Sequence, residues 1–350
     1  MCCIYYVGNN NGRAIGGFMN VRERTEEIEF NTLSPFAALA KNSKGRSKDE
    51  QQCDIRTVYQ IDRDRIIHSK SFRRLKHKTQ MFISPEGDHY RTRLTHTLEV
   101  SQIARTIARG LRFNEDLVEA VSLGHDIGHT PFGHAGERVL NDISSIDFKH
   151  YEQSVRVLER LEKNGRGLNI TEEVRDGIIC HTRGKEADTV EGRIVKIADR
   201  IAYVNHDIDD AIRANVLKNT DIPKYIVDVL GDKRADRINT LVSSIVNNSV
   251  DNELRMSEDV SKAFDELHNF MHQAVYVNHY AKAEESKVPM LIGTLYKYFK
   301  DNYKKMPDDM QLIAQKDGID RAVCDYIAGM TDPYAIQIFE CIFIPKSWKI

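Results

Sequence analysis

The segment SLGHDIGHTPFGHAGE, residues 122–137, concentrates side chains that can do chemistry. It holds three histidines, one aspartate and one glutamate, together with four glycines. Imidazole nitrogens and carboxylate oxygens are ligands of hard and borderline divalent cations. Glycine lets the backbone approach a phosphate closely because it has no side chain. The segment therefore predicts a metal site with a phosphate pocket beside it.

Four residues form the predicted ligand set. His125 and Asp126 are adjacent at the end of a predicted helix, where both can reach one ion. His96 lies at the start of the preceding predicted helix, and Asp199 lies inside an apolar helical stretch. A carboxylate there is costly to bury unless it is paired or bound to metal. A single histidine or aspartate is usually only polar surface, so the prediction depends on the combination.

His134 and Glu137 are the candidate proton-transfer groups. They share one helix face if a new helix begins near Phe132, after Thr130-Pro131 has stopped the previous one. A carboxylate beside an imidazole raises the imidazole pKa and fixes its tautomer. The pair is therefore predicted to supply either a general acid for a leaving oxygen or a base for water, and the spacing leaves both roles open.

The elements that must position these groups are helices. Apolar residues recur at helical spacing in HTLEVSQIARTIARGL, EDLVEAVSLGHD, YEQSVRVLERLEK, TEEVRDGIICHT, EGRIVKIADRIAYVNHDIDDAIRA and three stretches after residue 220. Asn114 and Thr171 are expected N-caps. Strand signals are limited to TQMFI near residue 80, and no strand–helix alternation occurs. The pattern predicts an all-α fold.

Composition limits the class of protein. The chain has 350 residues, 41% of them hydrophobic, which is enough for a sizeable core. A net charge of -2 excludes a globally basic nucleic-acid binder but allows a local basic channel. The six cysteines form no CxxC pair, so reduced thiols in a cytoplasmic protein are expected. The sequence contains no apolar run of 18 or more residues, so no membrane span is predicted.

Three stretches, RTRLTHTLEV, SLGHDIGHTPFGHAGE and KIADRIAYVNHD, resemble the HD-domain metallophosphohydrolase superfamily, and within it the bacterial deoxyguanosinetriphosphate triphosphohydrolase-like proteins. The resemblance runs from SPFAALA to FIPKSWKI, and HDIGHTPFGHAGE is far more specific than the HD pair. It implies an all-α HD-domain core with additional C-terminal helices, and metal at His96, His125, Asp126 and Asp199. We expect an N-terminal tail and arm over residues 1–55, a catalytic core over 56–216, and a C-terminal helical region over 217–350.

The resemblance also implies roles for residues around the ligands. His134 and Glu137 occupy the positions of the catalytic pair, and His129 lies over the phosphates. Arg93, one turn before His96, matches a phosphate contact. Gln80 matches the position that reads the deoxyribose 3′-hydroxyl.

On the helix of Asp199, Tyr203 and Asp207 follow at i+4 and i+8, so the three lie along one side. By resemblance, Tyr203 packs under the sugar, where a 2′-hydroxyl would clash, and Asp207 hydrogen-bonds the 3′-hydroxyl. Arg200 follows the metal aspartate at a position where the family commonly has a basic residue for phosphate. Tyr203 could alternatively be a core residue.

Other groups are candidates on weaker grounds. His150 resembles a phosphate-holding family histidine near EQ, although here Tyr151 intervenes before Glu152. The segment RDRIIHSKSFRRLKHK, residues 63–78, holds seven lysines and arginines and one acid. It could offset phosphate charge, with Arg74 as the candidate, or be a solvated face. His268 and His272 have the i, i+4 spacing of metal ligands, but surface or packing roles are favoured.

These observations predict metal-dependent hydrolysis of dGTP or other deoxynucleoside triphosphates at the α-phosphorus, giving deoxynucleoside and inorganic triphosphate. The ion could be manganese, magnesium, cobalt, iron, nickel or zinc. Family members suggest an activating nucleotide and a homo-oligomer such as a hexamer. Two alternatives stay open. One is an HD-type 5′-nucleotidase or cyclic-nucleotide phosphodiesterase, and the other is a nucleic-acid-binding protein with a structural metal.

Overall fold

The structure is a computed structural model that describes residues 19–81, 91–182, 184–276 and 284–346. Within these ranges the chain is helical, and β-pairing is limited to the isolated bridges Arg46–Thr171, Thr79–Thr92 and Val250–Glu253. The all-α prediction is confirmed. Of the possible strand TQMFI, only Thr79 pairs, while Phe82 and Ile83 lie outside the described residues.

The helices are joined by connections of differing length. In the first half they are α1 (Val21–Thr32), α2 (Val58–Ile67), α3 (Lys70–Arg74), α4 (Arg93–Leu111), α5 (Glu115–Gly124), α6 (Gly133–Ile143), α7 (His150–Arg156), α8 (Glu162–Gly165), α9 (Glu172–Ile179) and α10 (Val190–Arg213). In the second half they are α11 (Lys224–Leu230), α12 (Arg234–Asn248), α13 (Glu258–Met271), α14 (Val288–Asp301), α15 (Asp308–Asp317), α16 (Ile319–Ala328) and α17 (Asp332–Phe343). A π-helical turn, His272–Tyr276, continues α13.

Helices α4, α5 and α10 pack together at the centre of the first core. The predicted stripe of α4 is buried, including Val100, Ile103 and Ile107. Asn114 caps α5, because its side chain accepts hydrogen bonds from the Asp116 and Leu117 amides. This packing brings the C-terminal end of α5 against the start of α4 and the middle of α10, where the predicted ligands lie.

A second core joins α6 to the C-terminal helices α14, α16 and α17. Its buried side chains include Phe132, Leu140, Ile292 and Phe299. Because α6 carries His134 and follows the turn that holds His129, this core attaches the C-terminal helices to the predicted catalytic histidines.

Residues 19–55 contain more structure than a tail and arm suggest. Helix α1 begins with a capping box, in which Asn20 accepts from the Glu23 amide and Glu23 accepts from the Asn20 amide. Apolar side chains from 217–275 also join the first core. The boundaries at 55/56 and 216/217 stay predictions. None of the described helices combines the length and apolar content needed to cross a membrane.

Candidate metal centre and active site

The four predicted ligands come together from three helices. His96 lies in the first turn of α4, His125 and Asp126 follow the last residue of α5, and Asp199 lies in the middle of α10. His96, His125 and Asp126 are buried, and the side chain of Asp199 is 22% exposed. The partly exposed Asp199 therefore marks the side from which a ligand can enter.

Distances between the donor atoms fit a single small cation. His96 Nε2 lies 3.0 Å from Asp199 Oδ1 and 4.0 Å from Asp126 Oδ2. His125 Nε2 lies 3.5 Å from Asp126 Oδ1 and 3.8 Å from Asp199 Oδ1. Ligand atoms that are each about 2.1 Å from one ion lie roughly 3 to 4 Å apart.

The chemistry of the donors also fits a cation. Burial would raise the pKa of the Asp126 carboxyl, but its interactions with His125, His129 and Arg93 lower the pKa well below its ordinary value. Burial likewise opposes ionisation of Asp199, yet a hydrogen bond from His96 and the interaction with His125 lower the pKa of this carboxyl. Both carboxylates are therefore ionised, which is the form that binds metal.

His125 shows how the ring nitrogens are prepared for an ion. Its Nδ1 lies 2.6 Å from the carbonyl oxygen of Ser122, which fixes the ring orientation. Its Nε2 is buried and has no hydrogen-bond partner among the described residues. A buried, unsatisfied acceptor is costly unless something binds it, so a divalent cation accounts for this arrangement.

Beside the ligands, three imidazoles and one carboxylate form a second group. The ring of His129 lies 4.0 Å from that of His150 and 5.2 Å from that of His134, measured between centroids. His129 Nδ1 also lies 3.0 Å from Asp126 Oδ1, which connects this group to the metal centre. Burial, followed by the charge of Arg93, lowers the pKa of His129 well below its ordinary value, so this ring is neutral near pH 7.

Glu137 and His134 lie together, with ligand atoms within 4.8 Å of each other, but the hydrogen bonds of Glu137 go to another histidine. Helix α6 begins at Gly133 as predicted, but Glu137 accepts hydrogen bonds from His150, from its amide at 2.9 Å and from its ring Nδ1 at 3.0 Å. The physical reason is that the start of α7 presents two donors to one carboxylate. These bonds and the charge of His150 outweigh burial and lower the pKa of Glu137 to about 2.

The sequence had suggested that Glu137 raises the pKa of His134. In the structure the pKa of His134 is lowered instead. Its side chain is reached by solvent, yet the surrounding protein desolvates it and lowers its pKa to about 4, with a further contribution from the charge of His150. His134 is neutral near pH 7 in the free protein. It can accept a proton directly, whereas it can donate one as an acid only after bound negative charge has raised its pKa.

The glycines have a different role from the one predicted. A Cβ on Gly128 would lie 2.1 Å from the Ser154 amide nitrogen, and one on Gly136 would lie 2.2 Å from the Pro131 carbonyl oxygen. Protein backbone, and not open space for phosphate, occupies these positions. Gly128 therefore allows α7 to approach the turn after α5, which is what places His150 beside His129.

Arg93 connects the ligand set to the segment before α4. It is 1% exposed, and its Nη1 lies 2.5 Å from Asp126 Oδ2 while its Nη2 donates to the Thr79 carbonyl at 3.1 Å. Gln80 follows Thr79 directly, and its side-chain oxygen is buried without a hydrogen-bond partner among the described residues. An unsatisfied acceptor at this place suits a ligand hydroxyl.

Farther along α10, Tyr203 and Asp207 face the π-helical turn after α13. The ring of Tyr203 lies 6.4 Å from that of Tyr276 and 5.9 Å from that of His268. The Tyr276 hydroxyl donates to Asp207 Oδ2 at 2.8 Å. Burial raises the pKa of Asp207 to about 7, although the hydrogen bond from Tyr276 opposes this. An aromatic, polar region thus lies two turns from the metal aspartate.

Comparisons with known proteins agree with this geometry. The HD domain model matches residues 93–204, and a phosphohydrolase-associated domain matches residues 254–340. The chain is 56% identical over 331 residues to the deoxyguanosinetriphosphate triphosphohydrolase-like protein of Caldanaerobacter subterraneus subsp. tengcongensis, covering 94% of this chain and 98% of that protein. The chain belongs to this HD-domain family.

Other relatives share the same printed name. The protein of Clostridium tetani is 48% identical over 340 residues, covering 94% of this chain and 97% of that protein. The protein of Ralstonia pickettii is 37% identical over 371 residues, covering 89% of this chain and 94% of that protein. The resemblance predicted from the motifs is confirmed, and the HD domain is a metal-dependent phosphohydrolase fold.

Two predicted phosphate-binding residues of the HD-domain protein have protein partners instead. Arg200 pairs with Asp265 at 2.6 Å and lies 4.8 Å from the centroid of the Phe264 ring, so it faces α13 and lines a cavity of about 510 Å³. Arg74 is exposed and donates to the Gly329 carbonyl at 3.0 Å. Neither contacts the histidine group in the structure.

Three of the seven basic residues in the segment 63–78 of the HD-domain protein are engaged with buried or acidic partners. Arg63 pairs with Asp64 and Asp116, and Arg65 pairs with Glu50. Lys78 is buried and donates to the carbonyl oxygens of His129 and Ala328. Lys70, Arg73, Arg74 and Lys76 are exposed, so the nucleic-acid-binding alternative stays open.

His181 and Tyr276 are residues of the site that the sequence did not single out. His181 is buried, its Nδ1 lies 2.6 Å from the Ile178 carbonyl oxygen, and its ring lies 5.0 Å from that of His125. The histidine therefore has the same relation to the end of α9 that His125 has to the end of α5. A histidine just after a predicted helix is the signal in the sequence that could have identified His181. The sequence around Tyr276 contains no comparable signal.

Proposed function

We propose that the protein hydrolyses deoxynucleoside triphosphates at the α-phosphorus, with a divalent cation, to a deoxynucleoside and inorganic triphosphate. The single observation that carries the proposal is the arrangement along α10. Asp199 stands at the metal centre, and Tyr203 and Asp207 follow on the same side toward Tyr276. This places a group suited to a sugar beside a group suited to phosphate chemistry.

The sugar contacts follow from the chemistry of these side chains. The Asp207 carboxylate would accept a hydrogen bond from the 3′-hydroxyl, and Gln80 would add a second contact through its unsatisfied oxygen. The ring of Tyr203 would pack under the deoxyribose and leave no room for a 2′-hydroxyl. The printed names of the relatives support a guanine deoxynucleotide as one substrate.

The phosphate chain would lie along the histidine group. Arg93 is a buried cation next to Asp126, and it would offset negative charge on phosphate. His129 and His150 present stacked rings, and Glu137 holds the orientation of His150. Arg200 would reach phosphate only by leaving Asp265.

The four ligands His96, His125, Asp126 and Asp199 would hold the cation. When bound, such an ion polarises a phosphoryl oxygen and lowers the pKa of a coordinated water. His134 would supply the proton that the leaving 5′-oxygen needs. The negative charge of a bound triphosphate would raise the pKa of His134 from about 4, and the ring could then deliver that proton.

Manganese, magnesium, cobalt, iron, nickel and zinc all accept two imidazoles and two carboxylates. An activating nucleotide, a homo-oligomer and a cytoplasmic location belong to the same proposal.

The test is to incubate the purified protein with Mn²⁺ and each of the four dNTPs, with and without dGTP, and to identify the phosphorus product by 31P NMR. Intact triphosphate with a deoxynucleoside would support attack at the α-phosphorus. Pyrophosphate or orthophosphate would identify a different scissile bond and overturn the mechanism. Turnover of nucleoside monophosphates or cyclic nucleotides alone would favour the nucleotidase or phosphodiesterase alternative.

A further inference from the structure

The turn between α5 and α6 is held by a residue from the far end of the chain. Asp332, the first residue of α17, is 3% exposed. Its Oδ1 accepts a hydrogen bond from the Phe132 amide at 3.0 Å. Its Oδ2 accepts two, from the Thr79 amide at 2.9 Å and from the Thr79 hydroxyl. One buried carboxylate therefore joins three segments that are distant in sequence.

Both partners of Asp332 lead directly to groups of the proposed active site. The carbonyl of Thr79 accepts from Arg93, whose other nitrogen contacts Asp126. Phe132 is the residue before α6, and His134 lies in the first turn of that helix. One oxygen of Asp332 therefore acts through Thr79 on Arg93, the proposed phosphate contact. The other acts through Phe132 on His134, the proposed proton-transfer group.

The backbone at Phe132 explains why the turn needs such a partner. Phe132 has φ 62° and Gly133 has φ 55°, both in the left-handed region. This conformation is unfavourable for a residue with a Cβ, and it persists only where surrounding contacts determine it. The bond from the Phe132 amide to Asp332 is a contact that can do so.

A second link from the same C-terminal region strengthens the argument. The buried Lys78 donates to the His129 carbonyl and, at 2.8 Å, to the carbonyl of Ala328 at the end of α16. Two consecutive residues, Lys78 and Thr79, therefore connect the histidine turn to α16 and α17.

We propose that Asp332 is a positioning residue of the active site: it fixes the Phe132 turn and Thr79, and so places His134 and Arg93 for the reaction. This inference rests on the proposed function. It assigns the C-terminal helices a part in the geometry of the reaction, beyond completing the second core.

The decisive variant is Asp332→Asn, which keeps the shape of the side chain but replaces one acceptor with a donor that faces the Thr79 amide. The matched control is Asp320→Asn. Asp320 also connects the C-terminal helices to the segment after α6, through Ser145, and it pairs with Lys300 of α14, but neither residue belongs to the turn. A further variant, Thr79→Val, removes only the hydroxyl bond and serves if Asp332→Asn does not fold.

For each variant we would measure kcat and KM for the preferred dNTP with Mn²⁺, bound metal per chain, melting temperature, and hydrogen exchange of peptides covering 128–135. Misplacement by a fraction of an ångström should lower kcat of Asp332→Asn by about tenfold or more, with KM and bound metal nearly unchanged. The 128–135 peptides should exchange faster. Thr79→Val should show a smaller loss of kcat, and Asp320→Asn none.

A purely structural role predicts a different pattern, in which the melting temperature falls while the folded Asp332→Asn enzyme keeps the wild-type kcat. That result, or an equal loss of kcat in Asp320→Asn, would overturn the proposal. If wild-type protein hydrolyses no dNTP, the proposed function fails on its own. Unchanged exchange at 128–135 in Asp332→Asn would then show separately that Asp332 does not hold the turn.

Discussion

The carboxylate of Glu137 lies 3.0 Å from ring Nδ1 of His150, and the same carboxylate accepts the His150 amide. This pair orients the ring that lies beside His129, whereas the pKa of His134 is lowered to about 4. The histidine group therefore contains one ring oriented by a carboxylate and one neutral ring that solvent reaches. The proton-transfer role can be tested on His134 without removing the hydrogen bond between Glu137 and His150.

His134→Ala should reduce dNTP turnover by a factor of about 10² or more, because proton transfer by a positioned side chain contributes that much. Bound metal, measured by plasma mass spectrometry, should stay at the wild-type level, since His134 is not among the four ligands. His125→Ala should lose both metal and turnover. The exposed His77 supplies a control, and His77→Ala should behave as wild type. Wild-type turnover in His134→Ala would remove this residue from the mechanism.

Arg93→Lys should lower kcat/KM by about 10²-fold, equivalent to roughly 2.7 kcal/mol of transition-state stabilisation. An ammonium group cannot contact Asp126 and the Thr79 carbonyl together, as the guanidinium does. Steady-state kinetics would check this, with Arg109→Lys as the control because Arg109 is 73% exposed and pairs with Glu115 far from the site. A loss of less than threefold would show that the double contact is unimportant.

Tyr276→Phe should raise KM for dNTPs by about fivefold, with a smaller effect on kcat, because it removes the hydroxyl that orients Asp207. The ratio of kcat/KM for a dNTP to that for its 2′,3′-dideoxy analogue should also fall, since Asp207 is the proposed reader of the 3′-hydroxyl. The partly exposed Tyr225 is the matched control, as Tyr225→Phe. An unchanged dNTP-to-dideoxy ratio would place the sugar elsewhere.

Glu29→Gln should make the free energy of unfolding less dependent on pH. Burial raises the pKa of Glu29 from 4.5 to about 7, although its Oε2 accepts the Ala40 amide at 2.7 Å. The folded state therefore holds a proton between these pH values that the unfolded state releases, and stability falls as pH rises through this window. The variant should gain up to about 3 kcal/mol relative to wild type between pH 4.5 and pH 7.

Urea unfolding at pH 4.5, 6 and 8 measures this difference. Glu27→Gln, on the exposed face of the same helix, should give a difference from wild type that does not change across the series. A constant difference for Glu29→Gln as well would mean that the Glu29 carboxyl is ionised throughout.

The sequence predicted those features that depend on local periodicity. Buried stripes such as Ile103 with Ile107 on α4, and Ile194 with Ile201 on α10, follow from helical spacing, and they bring the four ligands together. The Asn114 cap is equally local. Helix α1 was missed because its apolar residues are few, although its capping box was present in the sequence.

The side-chain pairings were less predictable because they depend on how distant helices pack. Glu137 reaches His150 only because α7 approaches Gly128 closely. Arg200 pairs with Asp265 from α13, and Asp332 reaches a turn about 200 residues earlier. Spacing along one helix places a residue on a face, but the packing of other helices decides which partner it meets there.

The long sequence interval between Asp199 and Asp332 has a consequence for synthesis in the cell. All four metal ligands have been translated before residue 200, whereas Asp332 follows about 130 residues later. At a ribosomal rate of 5–20 residues per second, this interval lasts on the order of ten seconds. A nascent chain can therefore bring the four predicted ligands together early, yet the turn at Phe132 gains its contact with Asp332 only after helix α17 has been synthesised.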